Sequence, residues 1–523
     1  MNRKRRKPGQ PAPAPESPAA PAPPQPPVPH ALAWLAAAFL LPNLGALPCR
    51  FVFDDRVIIV ENESLHSLRN IRQIWTSGYW PDPHGQELYR PLSKTLWAAL
   101  WSIGGGAHPW VFHAAGLALG LAVVLLLYRV LREVGTAART AFLASLLFAL
   151  FPIHTEATTS VVGSAETLAA AFALGALILY YRGRTAGALA LFALAVFSKE
   201  SSAAFAALPF VFPRQAAPRP QPEPGTPQTG WRSRFTAAEI AAAAGAAAIV
   251  VAAAVAHDLV SRSSRIPAID NPAALIGKSQ QILTALWVQC LYLAKTLVPI
   301  TLSADYSYKQ IPLVMGLDDW RAWPGLALAF AAAIVAIASR RFRAPVLAYA
   351  ALFAVTANVL FPIGTIMGER LAYAPSIGVA LLAAILLADR RQWKAIVIAL
   401  AVLYGARTAA RNLDWLTPER FYTRLAETSP QSAKAQYSLG ALRASLSDDA
   451  GSIAAYNRAI EIFPAYAEAY RNRGNALARM GRNAEAIADY RQCLRFDPTD
   501  YAANFNLKEL LAGRSVYPPR KAL

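Results

Sequence analysis

Six short strings in this 523-residue sequence bring acidic, basic and hydroxyl-bearing residues together: Phe53-Asp54-Asp55, Tyr89-Arg90-Pro91-Leu92, His154-Thr155-Glu156, Ser198-Lys199-Glu200, Ser303-Ala304-Asp305-Tyr306-Ser307-Tyr308 and Met367-Gly368-Glu369-Arg370. A carboxylate such as Asp54 or Asp55 can take the proton from an attacking alcohol, while its neighbour tunes its pKa or holds a cation or hydroxyl. The guanidinium groups of Arg370 and Arg90 can grip phosphate oxygens in pairs, and Lys199 offers a point charge. His154, Glu156, Glu200 and Glu369 can hydrogen-bond a polar substrate or serve local structure, Glu200 and Glu369 as ion-pair partners of the adjacent Lys199 and Arg370. Asp305, Tyr306 and Tyr308 read either as substrate contacts or as an interfacial aromatic anchor.

The elements that must position these strings are membrane helices. Hydrophobic residues make up 55% of the chain and charged residues 16%, with a mean hydropathy of +0.29, which fits neither an ordinary soluble domain nor a disordered polymer. Apolar runs at 31–47, 109–131, 140–153, 165–181, 186–197, 202–213, 235–257, 323–339, 344–360, 376–389 and 393–408 predict about eleven spans, the shorter ones extending into flanking residues to cover a ~30 Å core. The stretch 274–297 is made amphipathic by Lys278, Gln280, Gln281, Gln289 and Lys295, so it is read as an interfacial helix.

Alternate gaps collect basic residues: the tail's Arg3 to Lys7, then Arg129/Arg132/Arg139, Arg182/Arg184, Arg214/Arg219/Arg232/Arg234, Arg340/Arg341/Arg343 and Arg390/Arg391/Lys394. The positive-inside rule makes that side cytoplasmic and accounts for the net charge of +19 without a nucleic-acid partner. All six strings then fall on the opposite side. Ionisable groups near membrane depth are costly and mark functional cavities, so their convergence implies one site at the outer boundary.

Residues 1–30, basic and then proline-rich, read as a disordered cytoplasmic tail, and 31–410 as the membrane domain. From 411 to 523 the chain carries a 34-residue period in which Gly440 recurs as Gly474, Tyr456 as Tyr490 and Pro464 as Pro498. This is the tetratricopeptide pattern. Ala454 and Ala459 are expected to face Ile487 or Ala488 and Cys493, with 501–513 as a capping helix docked, with the repeats, on the membrane domain. Cys49, Cys290 and Cys493 have neither disulfide nor zinc spacing, so no structural metal is expected. No phosphate-cradling glycine motif appears, which leaves a nucleotide-sugar site unsupported.

FVFDD, YRPL, FPIHTE, FSKE, LSADYSY and FPIGTIMGERLAYAPS, in that order and followed by the repeats, resemble the transmembrane and TPR-containing O-mannosyltransferases and their bacterial relatives, of the GT-C glycosyltransferase superfamily. The resemblance covers nearly everything from residue 31 onward, departing in its few repeats and proline-rich tail. It implies an all-α, polytopic helix bundle of GT-C type with a C-terminal α-solenoid. The implied enzyme passes a sugar, mannose or another hexose, from a lipid-linked polyprenyl-phosphate donor to a hydroxyl acceptor on the extracytoplasmic side, with inversion. Asp54 or Asp55 would be the base, Arg370, Lys199 and Arg90 the phosphate ligands, and His154, Glu156, Glu200, Asp305, Tyr306 and Glu369 the substrate contacts. A divalent cation is an optional aid to the aspartates, and the repeats would hold the acceptor protein. The Ala- and Arg-rich composition suits a bacterial inner membrane, with an endoplasmic reticulum membrane as the other setting. Two rivals remain open: a non-catalytic membrane-anchored TPR adaptor, and a transporter of lipid-linked sugars.

Overall fold

Proline and hydroxyl residues, more than hydropathy, decide where the helices stop. The computed structural model describes residues 28–81, 88–213, 236–260 and 266–517, and all regular structure among them is helical. Most of the 1–30 tail and the Arg214, Arg219, Arg232 and Arg234 cluster lie outside the described residues.

Four helices are long and apolar enough to cross a membrane: Pro109–Glu133, Ser164–Tyr181, Ala237–Val260 and Trp393–Trp415. A fifth span arises if Ala138–Leu150 and Pro152–Thr159, bent by 54° against each other, are counted as one. Shorter apolar helices occupy Ala31–Ala46, Thr185–Ser198, Ala322–Ala338, Arg343–Phe353 and Ser376–Ala388. Four or five spans are thus supported by length, about eleven are not shown, and two of the expected runs take a different form. The run at 202–213 forms a 3-10 helix, Glu200–Ala207, followed by a four-residue turn, Leu208–Val211. There Ser202 Oγ bonds back to the Lys199 carbonyl at 2.8 Å, the kind of local side-chain competition that disfavours an α-helix. The run at 344–360 stops at Phe353. Beyond it Asn358 adopts φ 58°, and its side-chain amide donates to the Thr365 carbonyl at 3.0 Å while its oxygen accepts from Ile363 N at 2.8 Å, folding the chain back on itself.

The bend matters most for the site. Pro152 has no N–H and drives Phe151 out of the helical region, to φ −61° and ψ 115°. The second arm, Thr155–Thr159, is entirely buried and carries Glu156. The first arm, Ala138–Leu150, is the centre of the bundle, packed between Ala31–Asn43, Pro109–Glu133 and Ser376–Ala388. The amphipathic helix Lys278–Leu297 buries Gln281, Thr284, Ala285, Val288, Gln289, Tyr292 and Thr296 along one face, at helical spacing, and packs on Ala322–Ala338.

The repeats follow the sequence pattern. Helices Ala433–Ser445 and Asp449–Ile462 pair, as do Ala467–Arg479 and Asn483–Phe496, and Tyr501–Leu511 closes the stack. Glycine is required where the helices meet: a Cβ on Gly440 would lie 2.6 Å from the Tyr456 ring, and one on Gly474 would lie 2.8 Å from Tyr490. The small-residue register shifts by one or two places from expectation. Ala454 and Ala488 are exposed, whereas Ala455, Ala459, Ala486 and Cys493 are buried in the seams. One more helix than the repeat period announces, Pro418–Thr428, precedes the first repeat; Thr417 caps it, and Phe421 and Leu425 pack on Cys49, Val52 and Trp415 of the membrane half.

Candidate functional site

Asp54 follows Phe53, which is held at a left-handed φ of 54°, and opens a helical turn that also holds Asp55, so the two neighbouring carboxylates point about 100° apart. Asp54 Oδ2 faces Arg370 Nη1 at 3.3 Å, with 16% of its side chain exposed. Asp55 points inward and is fully buried. Its Oδ1 accepts from Val162 N at 2.9 Å and from Ser160 Oγ at 3.4 Å, while Oδ2 has no hydrogen-bond partner. Burial, reinforced by the charge of Asp54 and only partly offset by backbone N–H donors, pushes the Asp55 pKa up to about 7. Cys49 and Tyr422 are the other titratable groups whose electrostatics it shares.

The consequence for stability has a definite sign. A carboxyl with a raised folded-state pKa binds its proton more tightly when folded, so its contribution is full below about pH 4 and is lost as pH climbs towards 7. Melting temperatures of Asp55→Asn across pH 4–7 are therefore expected to vary less than those of the native chain. An unchanged profile would contradict the assigned burial.

Arg370 is shared between two carboxylates. Besides Asp54, its Nε lies 3.5 Å from Glu156 Oε1, and its backbone N–H donates to Glu156 Oε2 at 2.9 Å. Glu156 is placed by the proline-bent arm, and Gly163 lets the following helix approach that arm: a Cβ there would sit 2.4 Å from the Glu156 carbonyl oxygen. Overpacking a dense interior costs typically about 1–3 kcal/mol. Gly163→Ala should lower the melting temperature of the purified protein accordingly, and an unchanged melt would show that the arm yields freely.

The other two predicted cations are already committed. Arg90 makes a bidentate pair with Glu200, Nε to Oε2 at 2.8 Å and Nη2 to Oε1 at 2.5 Å, and lies over the Tyr79 ring at 4.8 Å from its centroid. Arg90 thereby holds the Glu200 carboxyl down at about 2. Lys199 forms a buried ion pair with Glu166. Burial lowers its pKa, opposed by that carboxylate, and the fields of Arg90 and Arg370 lower it further. The side chain of Arg370 is 30% exposed, against 10% for Arg90 and 4% for Lys199. Of the three it is the accessible cation.

The remaining predicted residues separate from this cluster. His154 is buried among Phe148, Phe151 and Tyr373, with Nε2 2.7 Å from Ser376 Oγ. Tyr306 donates its hydroxyl to Glu369 Oε1 at 2.5 Å, and that oxygen also accepts from Ser303 N at 2.6 Å. Glu369 is fully buried, which raises its pKa, and faces Arg411 Nη2 at 3.7 Å. Asp305 turns towards the repeats, where its carboxylate accepts from Ser307 and Ser432. Among the described residues, no group of three or more His, Cys, Asp or Glu side chains could hold a metal ion.

Sequence reasoning missed Glu166, Arg411 and Tyr79. The first two had a signal, being ionisable groups inside the apolar helices Ser164–Tyr181 and Trp393–Asn412. Tyr79, buried beside Arg90, had only its place in the aromatic run Tyr79-Trp80.

Together these features define a multi-pass helical membrane protein in which a carboxylate and an accessible arginine meet beside an appended repeat domain. Residues 262–335 match the region described as Protein O-mannosyl-transferase TMTC, DUF1736, and tetratricopeptide repeats match at 443–481 and 467–500. Protein O-mannosyl-transferase F38B6.6 of Caenorhabditis elegans is 26% identical over 432 residues, covering 78% of this chain and 59% of that protein. Human Protein O-mannosyl-transferase TMTC3 is 25% identical (76% and 47% covered), and human Protein O-mannosyl-transferase TMTC1 is 28% identical (78% and 52% covered). The chain is a distant homologue of the TMTC proteins over most of its length, and it spans about half the length of these curated relatives.

Proposed function

We propose that the chain is an integral-membrane glycosyltransferase that moves a mannose from a polyprenyl-phosphate donor to a Ser or Thr hydroxyl of a protein, on the extracytoplasmic side and with inversion. The observation that carries this reading is the Asp54–Arg370 contact of 3.3 Å, a base candidate beside the most exposed of the three predicted phosphate cations. The donor class, the side and the acceptor follow from the resemblance to TMTC-type enzymes and from the basic gaps.

In the proposed single displacement, the acceptor oxygen attacks the anomeric carbon as its proton passes to Asp54. The bond from that carbon to the phosphate oxygen breaks, and the negative charge left on the prenyl phosphate falls to Arg370. Phosphate is already a good leaving group, so no separate acid is required. Asp55 would fix the 160–162 turn, and the Arg90–Glu200 and Lys199–Glu166 pairs would hold the floor of the site.

The test is direct. Purified full-length chain, incubated with mannosyl prenyl phosphate and a Ser/Thr-rich peptide, is expected to add a hexose mass to the peptide. A hexose on a lipid acceptor instead would overturn the assignment of the acceptor, and no transfer to either would favour the adaptor reading of the repeats.

A further inference from the structure

The loop Ser303–Gln310, which lies within the region matched at 262–335, is bonded at both ends. On the repeat side, Lys309 N donates to the Gln431 carbonyl and Ala433 N donates to the Tyr308 carbonyl, each at 2.7 Å. Ser429 Oγ donates to the Asp305 carbonyl at 2.6 Å and lies 2.7 Å from Ser303 Oγ. The Asp305 carboxylate accepts from Ser432, the residue whose Oγ caps the helix Ala433–Ser445 by accepting from Ala435 N at 3.0 Å. A buried ion pair is not needed here; hydroxyls and backbone groups join the loop to the first repeat helix.

On the membrane side, the same loop supplies both hydrogen bonds to Glu369 Oε1, from Ser303 N and from the Tyr306 hydroxyl. Glu369 directly precedes Arg370, and its other oxygen has no hydrogen-bond partner, only the arginine 411 guanidinium at 3.7 Å. The position of Arg370 is thus set from two directions: by Glu156 on one flank and, through Glu369, by a loop clamped to the repeats on the other.

We infer that Asp305 and Ser432 are positioning residues of the transferase site: through the Ser303–Gln310 loop and Glu369 they fix Arg370, so the first repeat helix and the phosphate arginine form one mechanical unit. Their assignment to sugar transfer rests on the function proposed above; the mechanical coupling does not. Removing Asp305 or Ser432 leaves every side chain that meets donor or acceptor in place, yet loosens the residue that meets the leaving phosphate.

Two measurements separate the coupling from the function. In hydrogen exchange of the full chain, Asp305→Ala, which deletes the oxygen that accepts from Ser307 and Ser432, and Ser432→Ala are expected to speed exchange at 367–373, including the Arg370 amide held by Glu156, as well as in the loop and at 429–435. Faster exchange confined to 303–310 and 429–435 would overturn the coupling, whatever the chain transfers. In the transfer assay, both variants are expected to raise the KM for mannosyl prenyl phosphate about tenfold with kcat within about twofold, the signature of a looser phosphate ligand. A KM equal to that of the native chain, in variants that exchange faster at 367–373, would leave the two parts joined but overturn their role as positioning residues. Ser432→Thr, which keeps the hydroxyl, is expected to restore both readouts.

Discussion

Asp54→Asn is expected to lower the rate of the proposed mannose transfer by about 10²–10⁴-fold, the range over which a positioned general base acts. The substitution keeps the side chain's shape and its contact with Arg370 Nη1 at 3.3 Å, so the donor's KM should change little. That split is the diagnostic. A base acts only as the acceptor proton leaves, whereas a residue that merely held Arg370 would show its loss in donor binding. Single-turnover measurement with preloaded donor reads the chemical step alone. If Asp54→Asn transfers mannose at the native rate, the base must be sought elsewhere, and Glu156 is the next carboxylate along Arg370. Asp55 is a poor alternative on geometry, since Oδ1 is occupied by the Val162 amide and the side chain is fully buried.

The second large effect is on folding. Lys199→Met is expected to destabilise the protein by about 3–5 kcal/mol, because Glu166, with 8% of its side chain exposed, would keep a buried charge without its partner. The double variant Lys199→Met with Glu166→Leu removes both charges and should recover most of that loss, as replacing a buried pair by apolar groups is often neutral or better. Thermal melts and the yield of monodisperse protein check both. A single variant as stable as the native chain would show that Glu166 finds water or another cation. If the double variant refolds but transfers slowly, the field of Lys199 at Arg370 contributes to the donor site beyond its structural use.

The polar strings were legible in the sequence because ionisable residues stand out against apolar runs; what they pair with was not. Adjacent residues suggested Lys199–Glu200, yet Lys199 is an extended residue between two helices (φ −159°, ψ 130°), which sends Glu200 to Arg90 and Lys199 to Glu166. Asp54 and Asp55 looked equivalent, but on the helical turn they share successive side chains diverge, one towards Arg370 and the other inward to the Val162 amide. Asp305 and Tyr306 share a string, but one faces the repeats and the other faces Glu369. Hydropathy located the apolar segments but carried the run at 344–360 past Phe353, since it is blind to the return path that Asn358 builds with its side-chain amide. The 34-residue period carried the repeats almost unaided, because each glycine and tyrosine answers to a contact with its neighbour alone.

The elbow at Pro152 also limits how such a site can admit a lipid. A flexible hinge could swing the Glu156 arm aside to clear a path, but proline locks its own backbone angle and obstructs a straightened helix. The Thr155–Thr159 arm is also buried along its whole length and packed on the helix Ser164–Tyr181. For the proposed lipid-linked donor, the way in would then lie away from this buried arm.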